Sequence, residues 1–417
     1  MLNYNKKTDG FMIYPVIIVG GGFSGLITMN LLIKDGIDFL LLEKNDRLGK
    51  KILATGNGRG NVSNLDLSLS HYHGKDAFFA SYAVKNYDNG LIAEFFKEKG
   101  IILSAENGKL YPMSKQANSI LDALRFSDNK KKAKTGAEVK DISFDEKTEV
   151  FTVDSTVGRF YAKKVVLAVG GKSSPHFGTD GKSYSLAQKF GHKLTPLYPS
   201  LVQLTTEKEA IRGLKGVKEY AKVSSYDGDK FLDSMTGDIL FTDNGISGNT
   251  AFFLSSRLVD GLNPVVYVNF LPDTDDSVVI DSLKARRKEY PLLGAETFLS
   301  GLVHSRIARK TAIKVLGENI ADIKYEDVSD VEIEKLVYVL KNTKIKITGN
   351  AGFSNSQVTK GGIDTKDVSP ETMQSVFNPN LYLIGEVLDV DGDCGGYNLQ
   401  WAFSSAMCAY KSIKGTL

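Results

Sequence analysis

Two hydrophobic grammars alternate along this chain. The apolar run at residues 14–19 (YPVIIV) predicts a strand buried on both faces. It gives way to Gly20-Gly21-Gly22-Phe23-Ser24-Gly25 and then to LITMNLLIKDG, apolar at helical spacing and stopped by Gly36. A second buried strand is predicted over 38–42 and ends at Glu43, completing a βαβ unit. Helical spacing returns at 92–100 and 118–124, and alternation predicts short antiparallel strands at 138–144, 149–153 and 160–162. These lead into another buried strand at 164–169, closed by Gly170-Gly171. Residues 1–11 read as a tail outside the fold, and the basic run at 129–134 (NKKKAK) as a solvated turn.

The texture changes at about 194. Strands are predicted at 199–206, 220–226, 238–241 and 265–270, and helices at 276–288, 295–314 and 330–342. The opening grammar comes back with strands at 358–363 and 381–386 and a helix from near Gly396 to about 412. With no internal repeat, the economical account is an α/β fold whose Rossmann-like domain is built from both chain ends (12–193 and 348–417). It is interrupted by a β-rich subdomain (194–275 and 330–347) and a helical one (276–329). The 417 residues suit two or three such pieces, at roughly 150 residues per domain.

Composition narrows the chemistry. Lys+Arg total 52 against 49 Asp+Glu, a net charge of +3, which argues against a protein built to neutralise nucleic-acid phosphates. Two cysteines, Cys394 and Cys408, and five histidines make a disulfide framework or a metal site a poor expectation. No apolar run nears the ~18 residues of a membrane span, and the start lacks a signal-peptide pattern, so a cytoplasmic protein with no membrane partner is expected. The forty glycines exceed the average usage of about 7%, and they cluster.

The first cluster is Gly20-x-Gly22-x-x-Gly25. Its glycines suit a tight turn, close approach to a pyrophosphate and helix–strand contact, with Glu43 placed for ribose hydroxyls. That constellation indicates a dinucleotide without separating NAD from FAD. Directly after it comes the Gly/Asn-rich basic loop Arg47–Asn64, which offers many backbone donors and Arg59 along an extended cofactor. The third is the tail from Leu381 to Ala402, a buried strand, a polar turn and a second helix N-terminus aimed at a ligand.

Together GGGFSG…LLLEKNDRLGKKILATGNGRGNVSN, VTKGGI and LYLIGEVLDVDGDCGGYNLQWAFSSA closely resemble the BaiN-like FAD-dependent oxidoreductases, a family that includes aminoacetone oxidase. LYPMSKQA, LAVGGKSSPHFGTDG and LFTDNGISG extend the resemblance over nearly the whole chain. It implies bound FAD, with Gly20, Gly22, Ser24 and Gly25 at the pyrophosphate and Glu43 at the adenosine ribose, followed by Lys44 and Lys51. Thr55, Gly58, Arg59 and Asn61 would lie along the middle of the cofactor, and Val139, Ala168 and Gly170 near its adenosine half. Gly361 and Gly362 would approach the isoalloxazine, Gly385 and Glu386 the ribityl and phosphate region, and Gly396, Tyr397 and Asn398 the pyrimidine end. One position departs from the family: its GRCN cysteine is Gly60 here. Cys394 reads as a small spacer.

The leading expectation is therefore an FAD-dependent oxidoreductase moving a hydride between flavin and a small organic substrate, by amine oxidation or by reduction of an unsaturated acceptor. NAD(P)H is a candidate transient electron donor, although a second dinucleotide fingerprint is absent from the sequence. A flavin-free NAD-dependent dehydrogenase, a non-catalytic FAD-binding protein and an RNA-directed flavoprotein are the competing readings. No general base is assigned: Tyr111 reads as a packing residue and His304 as an ordinary helical histidine. Substrate and oligomeric state are not legible.

Overall fold

The computed structural model describes residues 7–8, 11–127, 132–257 and 264–417. They divide into two compact units, one made of the chain up to Pro199 with Ser356–Leu417, the other of Ser200–Asn355. The expected junctions lay at 193/194 and 347/348. Both fall later, at 199/200 and 355/356, and the strand Thr343–Asn350 belongs whole to the sheet of the second unit.

In the first unit the parallel strands run in the order Ala133–Lys134, Phe39–Leu42, Phe11–Val19, Gly158–Leu167 and Leu381–Leu383. Gly158–Leu167 serves two partners on one edge. Its first half pairs antiparallel with Val150–Ser155, which in turn pairs with Val139–Asp145, and its second half pairs with Leu381–Leu383. Register aligns Val19 with Leu42 and with Leu167, and Leu167 with Leu383. Gly20, Glu43, Ala168 and Ile384 therefore leave the sheet at one level, the carboxyl ends where open α/β sheets bind ligands. The central strands are apolar and buried over Val16–Val19, Phe39–Leu42, Val165–Leu167 and Leu381–Leu383, where helices cover them, chiefly Phe23–Lys34 and the closing helix Tyr397–Gly415, which pack on each other.

Two local expectations change here. Lys7–Thr8 pairs antiparallel with Phe11 and Met12, so pairing begins inside the expected tail; residues 1–6 and 9–10 lie outside the described residues. Of the basic run, 129–131 also lie outside them, while Ala133–Lys134 forms the edge strand rather than a turn, and Lys132 is ion-paired with Asp38.

The second unit is a closed six-stranded barrel. Its order is Leu204–Thr206, Gly245–Ser247, Lys230–Phe241, Lys218–Asp227, Pro264–Asn269 and Thr343–Asn350, the last pairing back onto the first. Three helices, Asp276–Glu289, Ser305–Leu316 and Asp330–Lys341, pack together around a separate apolar core. The expected helix over 295–314 is broken into a short turn at Ala295–Thr297 and the helix Ser305–Leu316. Gly301 takes φ +85°, and His304 is extended with its Nδ1 accepting the Arg306 N–H at 3.2 Å. His304 is thus a helix cap. The helix Asn249–Arg257 was not signalled by its sequence.

Candidate active site

The glycines of the opening turn divide by what an added β-carbon would meet. At Gly20, which has φ +105°, it would lie 2.4 Å from the Ala168 carbonyl oxygen; at Gly25, 2.0 Å from the Gly20 carbonyl oxygen. Both positions admit neighbouring backbone. Gly22 differs: nothing described lies within 4 Å of its added carbon, so its backbone faces open space. It also starts the helix Phe23–Lys34 without a side-chain cap, leaving first-turn N–H groups for an anion.

Glu43 is buried at the end of the next strand. Its Oε2 accepts the Gly21 N–H at 2.7 Å, and its Oε1 accepts Asn45 N–H at 2.8 Å and Asn45 Nδ2 at 2.7 Å. The carboxylate is therefore fixed against the glycine turn, with about one lone pair left for a further donor. Ala137 and Gly136 donate backbone N–H groups to the carbonyls of Glu43 and Asn45, bringing the start of the Val139 strand alongside. Lys44 turns away to Asp180, 3.2 Å distant. Gly170, with φ +72°, abuts Thr179.

Lys51 pairs with Glu386 at 2.8 Å, so the basic loop and the tail meet. Glu386 also accepts the Thr359 N–H at 3.0 Å, and Thr359 Oγ1 takes the N–H groups of Lys172 and Ser173. Three separated segments are thereby tied at one carboxylate. Thr55 caps its own turn through Ile52 O, and Gly58, with φ +82°, closes it. Arg59 is engaged by protein: it binds Glu106 at 2.7 Å and lies over the Tyr111 ring at 4.4 Å. Asn61 is buried with its Oδ1 lacking any partner among the described residues.

Gly60 takes φ +74°, and an added β-carbon would lie 2.9 Å from Ala117 Cα. The small residue is thus required in this chain. Installing the family cysteine, Gly60→Cys, is expected to destabilise by about 2–4 kcal/mol, combining left-handed strain with overpacking. Gly136→Cys, at φ +66° with open space around it, should lose only the smaller conformational part. Equal melting temperatures for the two variants would refute the packing account.

The tail closes on the opening. Gly385, with φ +72°, leaves 2.9 Å between an added β-carbon and Ser24 Oγ; its N–H bonds Ser405 Oγ at 3.0 Å and its carbonyl accepts Trp401 Nε1 at 3.1 Å. Gly396 lies against Ser63 O and Asn61 Oδ1, and Asn64 Nδ2 donates to Gly395 O at 3.0 Å. Gly361 and Gly362 admit the backbones of Pro196 and Leu388. Tyr397 stacks on His71 with 4.4 Å between ring centres, and Asn398 holds Gly392 through both its amide atoms. Burial raises the Cys394 thiol above its ordinary range, the reverse of a reactive cysteine. Burial likewise raises Tyr111.

Sequence reading passed over His71, His73, Asp391 and Asp393. Asp393 is held by His71 Nδ1 at 3.0 Å and His73 Nε2 at 2.8 Å. The alternating acids Asp389, Asp391 and Asp393 were the available signal. An uncapped helix start over open space, a buried carboxylate anchored beside it and an orphaned Asn61 oxygen are features an extended dinucleotide satisfies, so the residues present fit FAD. Among the described residues no group of three or more His, Cys, Asp or Glu could hold a metal ion, and no helix is long and apolar enough to cross a membrane.

A family model described as HI0933-like protein Rossmann domain matches residues 14–412. A 3-dehydro-bile acid delta(4,6)-reductase of Clostridium scindens is 36% identical over 94% of this chain and 97% of its own length. A ribosomal RNA dihydrouridine synthase of Haemophilus influenzae is 30% identical over 95% of this chain and 98% of its own. Among solved structures, the 3-ketosteroid delta1-dehydrogenase of Sterolibacterium denitrificans shares the fold, with TM-score 0.50 and 12% identity over 97% of this chain and 100% of that one.

Proposed function

The chain belongs to the HI0933-like Rossmann-domain family and is a flavin-dependent oxidoreductase; from that premise we propose that it holds FAD and reduces a carbon–carbon double bond conjugated to a carbonyl in a small organic substrate. The observation that carries the reading is the meeting of the chain's two ends, Gly385 against Ser24, beside the open helix start at Gly22. The Gly22 turn and the N–H groups of Phe23–Lys34 would hold the pyrophosphate, Glu43 the adenosine ribose, and the Val139 backbone the adenine edge. Lys51 and Glu386 would bracket the ribityl and phosphate region, with Thr55, Gly58, Asn61, Ala168 and Gly170 along the cofactor. Gly361, Gly362, Gly396, Tyr397 and Asn398 would surround the ring. Arg59 and Lys44 act at one remove, by fixing the loop through Glu106 and Asp180.

When bound, the flavin supplies hydride chemistry. Reduction is favoured over amine oxidation because both relatives are named for saturating a double bond conjugated to a carbonyl, in a 3-oxo steroid acid and in uridine. NAD(P)H as the donor, without a domain of its own, completes the proposal.

The test is anaerobic. NAD(P)H should bleach the bound yellow chromophore, a steroid-like enone should restore it quickly, and oxygen should restore it slowly. Bleaching by amines with fast, peroxide-forming reoxidation would replace the proposal with an oxidase. A colourless protein that binds NAD would replace it with a dehydrogenase, and inertness to the whole panel with a non-catalytic FAD binder. Restoration by a uridine-containing RNA, with salt-sensitive binding, would move the substrate class to nucleic acid.

A further inference from the structure

Saturating a carbon–carbon double bond beside a carbonyl takes a hydride and a proton. The hydride is the flavin's to supply, and the proton needs a donor held beside the substrate. The histidines near the cofactor segments are committed elsewhere, His71 through both ring nitrogens to Asp66 and Asp393, and His73 through Nε2 to Asp393. The hydroxyls of Tyr72 and Tyr184 are sealed without a partner. At Tyr397 burial, then Asp66 and Asp393, oppose the phenolate that a donor leaves behind.

Tyr111 differs from all of these. A packing role accounts for its ring but not for its hydroxyl. On the strand Lys109–Pro112, Leu110 joins the apolar core of the unit, whereas Tyr111 lies on the other face and outside that cluster. Its ring edge meets the basic loop: a β-carbon added at Gly56 would lie 3.4 Å from Tyr111 Cε1 and 2.9 Å from Asn61 N. The Arg59 guanidinium, held by Glu106, covers the ring face at 4.4 Å. Cys394, beside the Gly395-Gly396 turn assigned to the flavin ring, is close enough to act on the phenol electrostatically. The side chain is only 6% exposed, yet its hydroxyl has no hydrogen-bond partner among the described residues and, unlike those of Tyr72 and Tyr184, is open to solvent.

We propose that Tyr111 is the proton donor of the reduction, an inference that rests on the reductase reading above. As hydride adds to the β carbon the π bond breaks, and the electron pair left on the α carbon takes the proton of the Tyr111 O–H. The phenolate, faced by Arg59, regains a proton from water. Burial lifts the phenol above its ordinary range, Arg59 pulls it back, and Glu106 and Cys394 lift it further, so the donor is protonated at neutral pH.

The test separates the two half-reactions in the full-length, FAD-loaded chain, with a 3-oxo-4-ene steroid as acceptor. Tyr111→Phe should keep its FAD, its melting temperature and its bleaching by NAD(P)H. The enone's dissociation constant for the oxidised protein, read from the flavin spectrum, should stay within about threefold of wild type. Restoration of colour by the enone should slow by about 10²- to 10⁴-fold. In deuterium oxide wild type should place deuterium on one face of the α carbon, and the residual product of Tyr111→Phe should carry it on both. Restoration at the wild-type rate, single-face deuterium in the variant, or equal slowing of bleaching and restoration each overturns the role of Tyr111 alone. A wild-type chain that is bleached by NAD(P)H but restored by no enone overturns the reductase reading, and the proposal with it. Should Tyr111→Phe melt early, Tyr111→Met carries the same comparison.

Discussion

Gly22→Ala and Gly25→Ala, three residues apart, are expected to fail in different ways. At Gly25 the new methyl would lie 2.0 Å from the Gly20 carbonyl oxygen and 3.3 Å from Ala168 Cβ, so helix and strand must part. Overpacking against backbone at this junction should destabilise by about 3 kcal/mol, and FAD retention should fall with the distorted turn. At Gly22 the methyl meets no described atom within 4 Å, and φ −77° with ψ −170° suits alanine. The flavin-free Gly22→Ala protein should therefore melt within about 0.5 kcal/mol of wild type. Yet the methyl occupies the space through which a pyrophosphate approaches the helix start, and FAD affinity should drop at least 100-fold. Thermal melts and flavin titrations of the two variants separate the effects. A Gly22→Ala chain that purifies yellow at full stoichiometry would remove the pyrophosphate from this turn.

The strands and helices of the first unit were legible because each is local and strongly patterned. The runs at 14–19 and 39–42 are apolar on both faces, and between them Gly20 and Gly25 stand where backbone contacts demand them. The barrel was legible only as strands. Its closure pairs Leu204–Thr206 with Thr343–Asn350 across more than a hundred intervening residues, and no local pattern encodes that pairing. The broken helix at 295–314 shows the same limit from the other side. Apolar spacing continues through Gly301 and His304, while a left-handed glycine and a histidine cap stop the helix between them.

The site shows which inferences residue type can support. Glu43 and the glycine turn followed from spacing, since the acid must end the second strand for its register to reach Gly21. Arg59 marks the limit: residue type offered a guanidinium in a Gly/Asn loop, but its pairing with Glu106 and its place over Tyr111, some fifty residues on, are written in no local pattern. Asp391 was invisible for a further reason. Its turn carries three acids in five residues, and only the three-dimensional hydrogen-bond pattern distinguishes the one left without a donor.

Glu43→Ala should give the other large effect, and on both stability and binding. The substitution strips the Gly21 N–H, the Asn45 N–H and Asn45 Nδ2 of an acceptor inside a buried corner, although Asn45 Nδ2 keeps Phe177 O at 3.0 Å. One buried and one half-buried backbone donor left unsatisfied correspond to a loss of about 2–3 kcal/mol. Glu43→Gln is the informative companion. It preserves the shape but sets an amide N–H against a backbone N–H on one side, so about half that loss is expected with the turn still formed. Because Glu43 is assigned to ribose rather than to the flavin ring, both variants should weaken ADP and FAD in the same proportion, measured in parallel titrations. A Glu43→Ala protein that melts with wild type and binds both nucleotides normally would show that the carboxylate neither braces the glycine turn nor contacts the cofactor. Weakening confined to FAD would instead move Glu43 from the adenosine end to the flavin end.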